Sequence, residues 1–209
     1  MISVAVVICQ GLHIPYYYDR RIHNLGNIGF QGMIHAESAY MTTKIIDRLC
    51  YDGVNIRKEI MKDYKNNSVL DLCCGIGIST MENSVGIDTS IEMLNVATKL
   101  DEKEKLNKQF YFGNAENYNP EIPVDIVTCM FGFHEMPLSA HCKIIENAMK
   151  IAKKEIIIVD IATNYKPKEI MLSGEPYLLN YLKDIDNTLF CFDKQNYIDN
   201  HVDIWRYEI

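Results

Sequence analysis

The chain has 209 residues, 48% of them hydrophobic, which suits one domain with an elaboration and a sizeable core but not two full domains. A formal net charge of -7 argues against the broad basic face that nucleic acid requires, so no nucleic-acid partner is expected. Seven scattered cysteines (Cys9, Cys50, Cys73, Cys74, Cys129, Cys142, Cys191) form no Cys-x-x-Cys pair, and the histidines lack His-Glu-x-x-His spacing. No disulfide framework or metal site is expected, and reduced thiols suit a cytoplasmic location.

The first apolar run, Ile2–Cys9, has no basic leader or small-residue cleavage pattern and is too short to span a bilayer. It reads as a strand or buried segment. Pro15–His23 (PYYYDRRIH) is dense in aromatic and charged groups and fits two readings, a packing arm or a lid over a ligand site. His35–Cys50 has the spacing of a helix burying Met41, Ile45, Leu49 and Ile46. The polar stretch Lys62–Asn67 then divides an N-terminal helical segment, 1–65, from a core domain, 66–209.

From Ser68 onward strand-like and helix-like patterns alternate. Val69–Cys73 reads as a buried strand and Ser84–Ile87 as a second, ending at Asp88. Thr89-Ser-Ile-Glu92 matches a capping box, followed by Met93, Val96, Ala97 and Leu100 on one helical face. Gln109–Phe112 and Asp125–Met130 are further strands. Ser139 is a candidate cap for a helix with the stripe Ile145, Ala148, Met149 and Ala152, and Glu155–Ile161 is the most strand-like run. This order implies an α/β fold: a single Rossmann-like, doubly wound, mostly parallel sheet behind an N-terminal helical segment.

Gly75, Asp88, Asn114 and His134 all fall at strand ends, where ligands bind in such sheets. Val69–Thr80 (VLDLCCGIGIST) places Gly75 and Gly77 in a loop that opens a helix, leaving backbone open to a ligand. Asp88, at the next strand end, is placed to accept from two ribose hydroxyls, so the pair suits an adenosine-type ligand. Thr80 stands where dinucleotide sites favour a third glycine, and Asp71 would repel a pyrophosphate but hold an ammonium. A ribose with an ammonium and a sulfonium fits better than one with two phosphates.

Four blocks in order, VLDLCCGIGIST, VGIDTS, FGNAEN and DIVTCMFGFHEMP, resemble the class I S-adenosylmethionine-dependent methyltransferases over roughly Ser68–Ile161. The last block is similar to small-molecule enzymes of the quinone-methylating kind. The resemblance implies S-adenosyl-L-methionine as cofactor, with Asp71, Gly75 and Gly77 at its methionine end. It implies Asp88 on the ribose with Thr89 beside it, Asn114 and the Ala115 N–H on the adenine, and Met130 and Phe131 closing over the cofactor. The family often has Asp where this chain has Asn114, whose amide oxygen still accepts from an adenine amino group.

His134 is the candidate general base and Glu135 its partner or alternative, against a reading of Phe133–Pro137 as a packed loop. Tyr17, Tyr18, His23 and His35 from the N-terminal segment, and Glu175 and Tyr177 from the far side, are candidate walls of an acceptor pocket. FGFHEMP replaces the Pro-Pro-Tyr-like run of enzymes that methylate nucleic-acid or protein amides, so the expected acceptor is a small molecule. Two other functions stay open: a non-catalytic S-adenosylmethionine-binding regulatory or partner protein, and a nucleotide-dependent oxidoreductase, the latter disfavoured by Thr80 and Asp71.

Overall fold

The computed structural model describes residues 15–19 and 21–209; Ile2–Cys9 lies outside them. Two 3-10 turns, Tyr16–Tyr18 and Ile22–Asn24, lead into α1 (Gly29–Cys50) and α2 (Ile56–Ile60). The core follows as β1 (Val69–Leu72), β2 (Val85–Asp88), α3 (Ile91–Glu104), β3 (Gln109–Phe112), β4 (Val124–Met130), α4 (Leu138–Ile151) and β5 (Ala152–Ile161). Then come α5 (Glu169–Gly174), α6 (Leu178–Thr188), β6 (Asp193–Ile198) and β7 (Val202–Glu208). The strands form one seven-stranded sheet in the order β3-β2-β1-β4-β5-β7-β6. β1 to β5 pair in parallel, and β7 runs antiparallel to both its neighbours.

Side-chain alternation sends each central strand into two cores. Leu70, Leu72, Val127, Cys129, Ile156 and Ile158 pack with α4 and α6 on one face. Val69, Ile126, Met130, Ile157 and Val159 pack with Ile56 and Ile60 of α2 on the other. Four consecutive β-branched residues in β5 are therefore buried on both faces, as parallel strands between helical layers require. The sheet and its flanking helices make a Rossmann-like, doubly wound fold with an N-terminal helical segment.

Several local expectations need correction. No helix follows the glycine loop: residues 73–84 cross from β1 to β2 as turns and bends. Gly75 (φ +52°) and Gly77 (φ +74°) are both left-handed, and the span is too short for a turn, a helix and a return. The place beside α3 is taken instead by α1, through Ala36, Ala39 and Tyr40 against Ile76, Ile78, Met93, Val96 and Leu100.

That helix begins six residues earlier than its sequence pattern, and it turns the opposite way. Met41, Ile45, Ile46 and Leu49 are 60%, 53%, 42% and 76% exposed, whereas Gly32 and Ala36 are buried. Small residues bring α1 close to α3, which the larger apolar stripe does not allow. At α3 the cap is Ser90, not Thr89: its hydroxyl accepts from Met93 N at 3.1 Å. Ser139 caps nothing, because α4 starts after Pro137. The buried stripe of α4 is Ala140, Ile144, Ile145, Ala148 and Ile151; Met149 is 37% exposed and Ala152 already belongs to β5.

Candidate active site

A cavity of about 740 Å³ opens over the carboxyl ends of β1 to β5. Gly75, Asp88, Thr89, Asn114, Ala115, Met130, Phe131, His134 and Glu135 line it, and the N-terminal segment adds Tyr17, His23 and His35. Those residues come from separate strand ends that the parallel sheet brings side by side. Asp71, Gly77, Tyr18 and Tyr177 are not part of this wall.

The Gly75–Asp88 pair forms the floor. One Asp88 oxygen accepts from Gly75 N at 2.9 Å and the other from Ser90 N at 2.8 Å. Burial outweighs these donors and raises the Asp88 pKa to about 6. A Cβ placed on Gly75 would meet nothing within 4 Å, so the space before the loop is open. Gly77 serves packing instead: its Cβ would fall 2.5 Å from the Phe110 ring. It faces a separate hollow of about 850 Å³ between α1 and α3.

Asp71 is fully buried beneath the loop and does not reach the cavity as an ammonium partner. Its oxygens accept from Ser79 Oγ at 2.7 Å, Thr80 Oγ1 at 2.7 Å and Thr128 Oγ1 at 2.9 Å. Burial still holds this carboxyl above its usual range. Asp71 therefore shapes the loop from behind. Thr80 leaves no room on β2: a Cβ on Gly86 would meet its hydroxyl at 2.9 Å and Cys74 Sγ at 2.8 Å. The glycine that permits close loop-to-strand packing thus sits in β2 rather than at position 80.

At the end of β3 the Asn114 side-chain oxygen accepts from Glu116 N at 2.9 Å, which fixes the turn presenting Ala115. At the end of β4 Phe131 takes a left-handed backbone (φ +58°), uncommon for a bulky residue, and donates its N–H to Val159 O at 2.7 Å. Arg57 lies 4.4 Å from the Phe131 ring centroid and pairs with Asp47 at 3.3 Å.

His134 is buried on a short turn after β4. Its Nδ1 lies 2.6 Å from Asp160 Oδ1, and its Nε2 lies 3.9 Å from Glu135 Oε1. The other Asp160 oxygen accepts from Phe133 N at 2.8 Å and His134 N at 3.2 Å, and Oδ1 also accepts from Ile161 N at 2.7 Å. Burial works against a proton on His134, but Asp160, with Glu135 and Glu175, overcomes it and raises the pKa to about 9. At neutral pH the imidazole is therefore mostly protonated. Sequence reasoning missed Asp160, although it ends an apolar strand as Asp71 and Asp88 do. Arg57 carries no comparable signal, because its placement depends on how α2 packs.

Above the cavity His23 bridges two carboxylates. Its Nε2 lies 2.5 Å from Glu135 Oε1 and its Nδ1 lies 2.8 Å from Glu175 Oε1. Burial alone would lower the His23 pKa; Glu135 and Glu175 raise it to about 11, and burial, which would raise Glu135, is overcome by His23 together with His134 and His35, which lower it. His35 packs on His23 with ring centroids 4.7 Å apart. Farther along, Gly29 N donates to Glu92 Oε1 at 2.6 Å and the Ser90 hydroxyl donates to Asn27 O.

Because the folded state holds the His23 proton more tightly than an unfolded chain (pKa about 6.5), this clamp contributes fully below pH 6.5. The contribution drains away as pH climbs through about 11. Hydrogen exchange at Asn24 and Gly26, corrected for intrinsic rate, should show protection falling over that window. His23→Gln should lose about tenfold protection already at pH 7, the scale of a lost charge-assisted hydrogen bond.

Residues 69–155 match the model of a methyltransferase domain family. A curated relative, demethylmenaquinone methyltransferase from Lactococcus lactis subsp. lactis (strain IL1403), is 32% identical over 116 residues, covering 50% of this chain and 45% of the relative. The match thus spans just under half of that relative's length. Among solved structures, magnesium protoporphyrin IX methyltransferase from Synechocystis PCC 6803 with bound S-adenosylmethionine aligns at 16% identity and TM-score 0.54, over 90% of this chain and 88% of that one. The YcgJ protein of Bacillus subtilis aligns at 20% identity and TM-score 0.51, over 69% and 71% of the two chains. At these identities the structural likeness establishes the fold. Among the described residues no helix is long and apolar enough to cross a membrane.

Proposed function

We propose that this chain is a class I S-adenosylmethionine-dependent methyltransferase, with its matching domain at residues 69–155, and that it transfers a methyl group from S-adenosylmethionine to a small-molecule acceptor. The observation that carries this reading is the convergence of Gly75, Asp88, Asn114, Ala115, Met130 and Phe131 on one cavity at the carboxyl ends of four parallel strands. The open space before Gly75 and the carboxylate of Asp88 fit a nucleoside with a hydroxylated ribose.

Bound in that crevice, S-adenosylmethionine supplies an electrophilic methyl on a sulfonium. Asp88 would accept from the ribose hydroxyls, and the Asn114–Ala115 turn would flank the adenine. Met130 and Phe131 would exclude water from the sulfonium side. The protein's main contribution is alignment of acceptor and methyl, worth about 7–11 kcal/mol in favourable cases. His134 would hold a hydrogen toward the acceptor at neutral pH and become a general base only as pH approaches its pKa of about 9. The segment carrying Tyr17 and His23 would act as a lid, held shut by Glu135 and Glu175. The relative that acts on demethylmenaquinone and the neighbour that acts on a porphyrin favour a small-molecule acceptor.

S-adenosylmethionine and S-adenosylhomocysteine should each raise the melting temperature of the folded chain, and NAD(H) should leave it unchanged. At a ligand concentration 100 times Kd the expected stabilisation is about 2.7 kcal/mol. No shift with either sulfur compound would defeat the proposal. Acceptor-dependent formation of S-adenosylhomocysteine separates an enzyme from a binding protein.

A further inference from the structure

Glu175 carries a valence that the fold does not use. It is 6% exposed, forms part of the cavity wall, and gives one oxygen to His23 Nδ1 at 2.8 Å. Its other oxygen, Oε2, has no hydrogen-bond partner among the described residues. A buried carboxylate oxygen left without a donor is costly, so such an atom beside a ligand cavity marks a place where a ligand supplies the hydrogen. The side chain is also held in register. Gly174 packs so closely on Asn24 that a Cβ there would lie 2.7 Å from the Asn24 amide nitrogen.

The charges around Glu175 define what the missing donor should be. His23 contributes one positive charge between the carboxylates of Glu135 and Glu175, which leaves this trio one negative charge in excess. Arg57 is matched by Asp47, and His134 by Asp160. Among the described residues none of the cavity's cations is left over for Glu175. The same cavity has aromatic and apolar lining in Tyr16, Tyr17, Tyr165 and Met171. Glu175 follows β5, whereas the cofactor-facing residues end β1 to β4, so its vacant oxygen belongs to the acceptor's part of the cavity.

We propose that Glu175 is a specificity residue of the acceptor site, its Oε2 receiving a hydrogen from a protonated amine carried on a small aromatic or apolar acceptor. The inference rests on the methyltransferase reading above and narrows its acceptor class. No bond is made or broken at Glu175; it orients the acceptor and rewards positive charge.

The test uses the full chain saturated with S-adenosylhomocysteine and three probes of matched shape: tyramine, neutral 4-propylphenol and anionic 3-(4-hydroxyphenyl)propionate. Calorimetry should show tyramine binding about tenfold tighter than 4-propylphenol, with the anion weakest, as expected for one charge-assisted hydrogen bond. Glu175→Gln, kept saturated with S-adenosylhomocysteine, should erase the preference for tyramine, read as the ratio of the tyramine and 4-propylphenol affinities so that any loosening of the lid cancels. Equal binding of tyramine and 4-propylphenol, or a preference that survives in Glu175→Gln, overturns the inference and leaves the methyltransferase reading standing. Failure of S-adenosylhomocysteine itself to bind overturns that reading and this inference with it. Should Glu175→Gln not fold, as judged by its melting curve, the wild-type probe series decides by the same comparison.

Discussion

Asp88→Ala should weaken S-adenosylhomocysteine binding by about 10- to 100-fold, the equivalent of the roughly 1.5–3 kcal/mol that hydrogen bonds to a charged group contribute. Two effects reinforce each other. The substitution removes the carboxylate proposed to hold the ribose, and it frees Gly75 N and Ser90 N, which Asp88 now holds at 2.9 and 2.8 Å. The glycine loop loses one of its ties to β2, keeping the Cys74 N to Ile87 O bond, and the start of α3 loses a bond at its cap. Wild-type affinity should also depend on acidity. With the Asp88 pKa raised by burial to about 6, the charged form that accepts from hydroxyls is present above that value and is lost as pH falls through it. Calorimetry at pH 5 and pH 8 reads this directly. An Asp88→Ala protein with wild-type affinity would remove Asp88 from the binding site.

Asp160→Asn should have the largest effect on the fold. Asp160 accepts from His134 Nδ1 and from the backbone N–H groups of Phe133, His134 and Ile161, all in a fully buried position. An amide brings a hydrogen-bearing NH2 against one side of that set of donors. Losing one partner of a buried ion pair typically costs about 3–5 kcal/mol, which denaturant unfolding measures. The proton on His134 should respond as well. In the wild type its pKa of about 9 lies above the unfolded value near 6.5, so its contribution to stability is complete below 6.5 and disappears as pH rises through 9. Without the carboxylate, burial is opposed only by Glu135 and Glu175 and the pKa should fall; the imidazole Cε1–H resonance would then titrate at lower pH than in the wild type. An unchanged titration would show that Asp160 does not govern His134.

The two aspartates differ in how well the sequence announces them. Asp88 stands out because it ends a short apolar strand one turn after a glycine loop, and local pattern alone places it. The same holds for Gly75, for the Asn114–Ala115 turn and for His134 after β4, which is why these parts of the cavity wall follow from residues read in order. Asp71 has the same local signature yet a different role. Only in three dimensions do Ser79, Thr80 and Thr128 close around it and take it out of the cavity. Asp160 carries the signature too, but its importance comes from a histidine 26 residues away.

What the sequence determined by itself was periodic and local: the buried strands, the face of α3, the parallel α/β order and the strand ends that line the cavity. These follow from burial on both sheet faces and from glycine's freedom at positive φ, both of which leave marks within a few residues. The C-terminal hairpin left little mark, since β6 (DKQNYI) is a polar edge strand whose pairing is fixed by β7. Tertiary structure alone decided the orientation of α1. Its apolar stripe pointed to the wrong face, because packing on α3 uses Ala36, Ala39 and Tyr40, and Gly32 lies against the Asn27 backbone. It alone also decided the His23–Glu135–Glu175 clamp. Charged groups separated by more than a hundred residues share no sequence pattern, and their pairing energy exists only once folding excludes water between them.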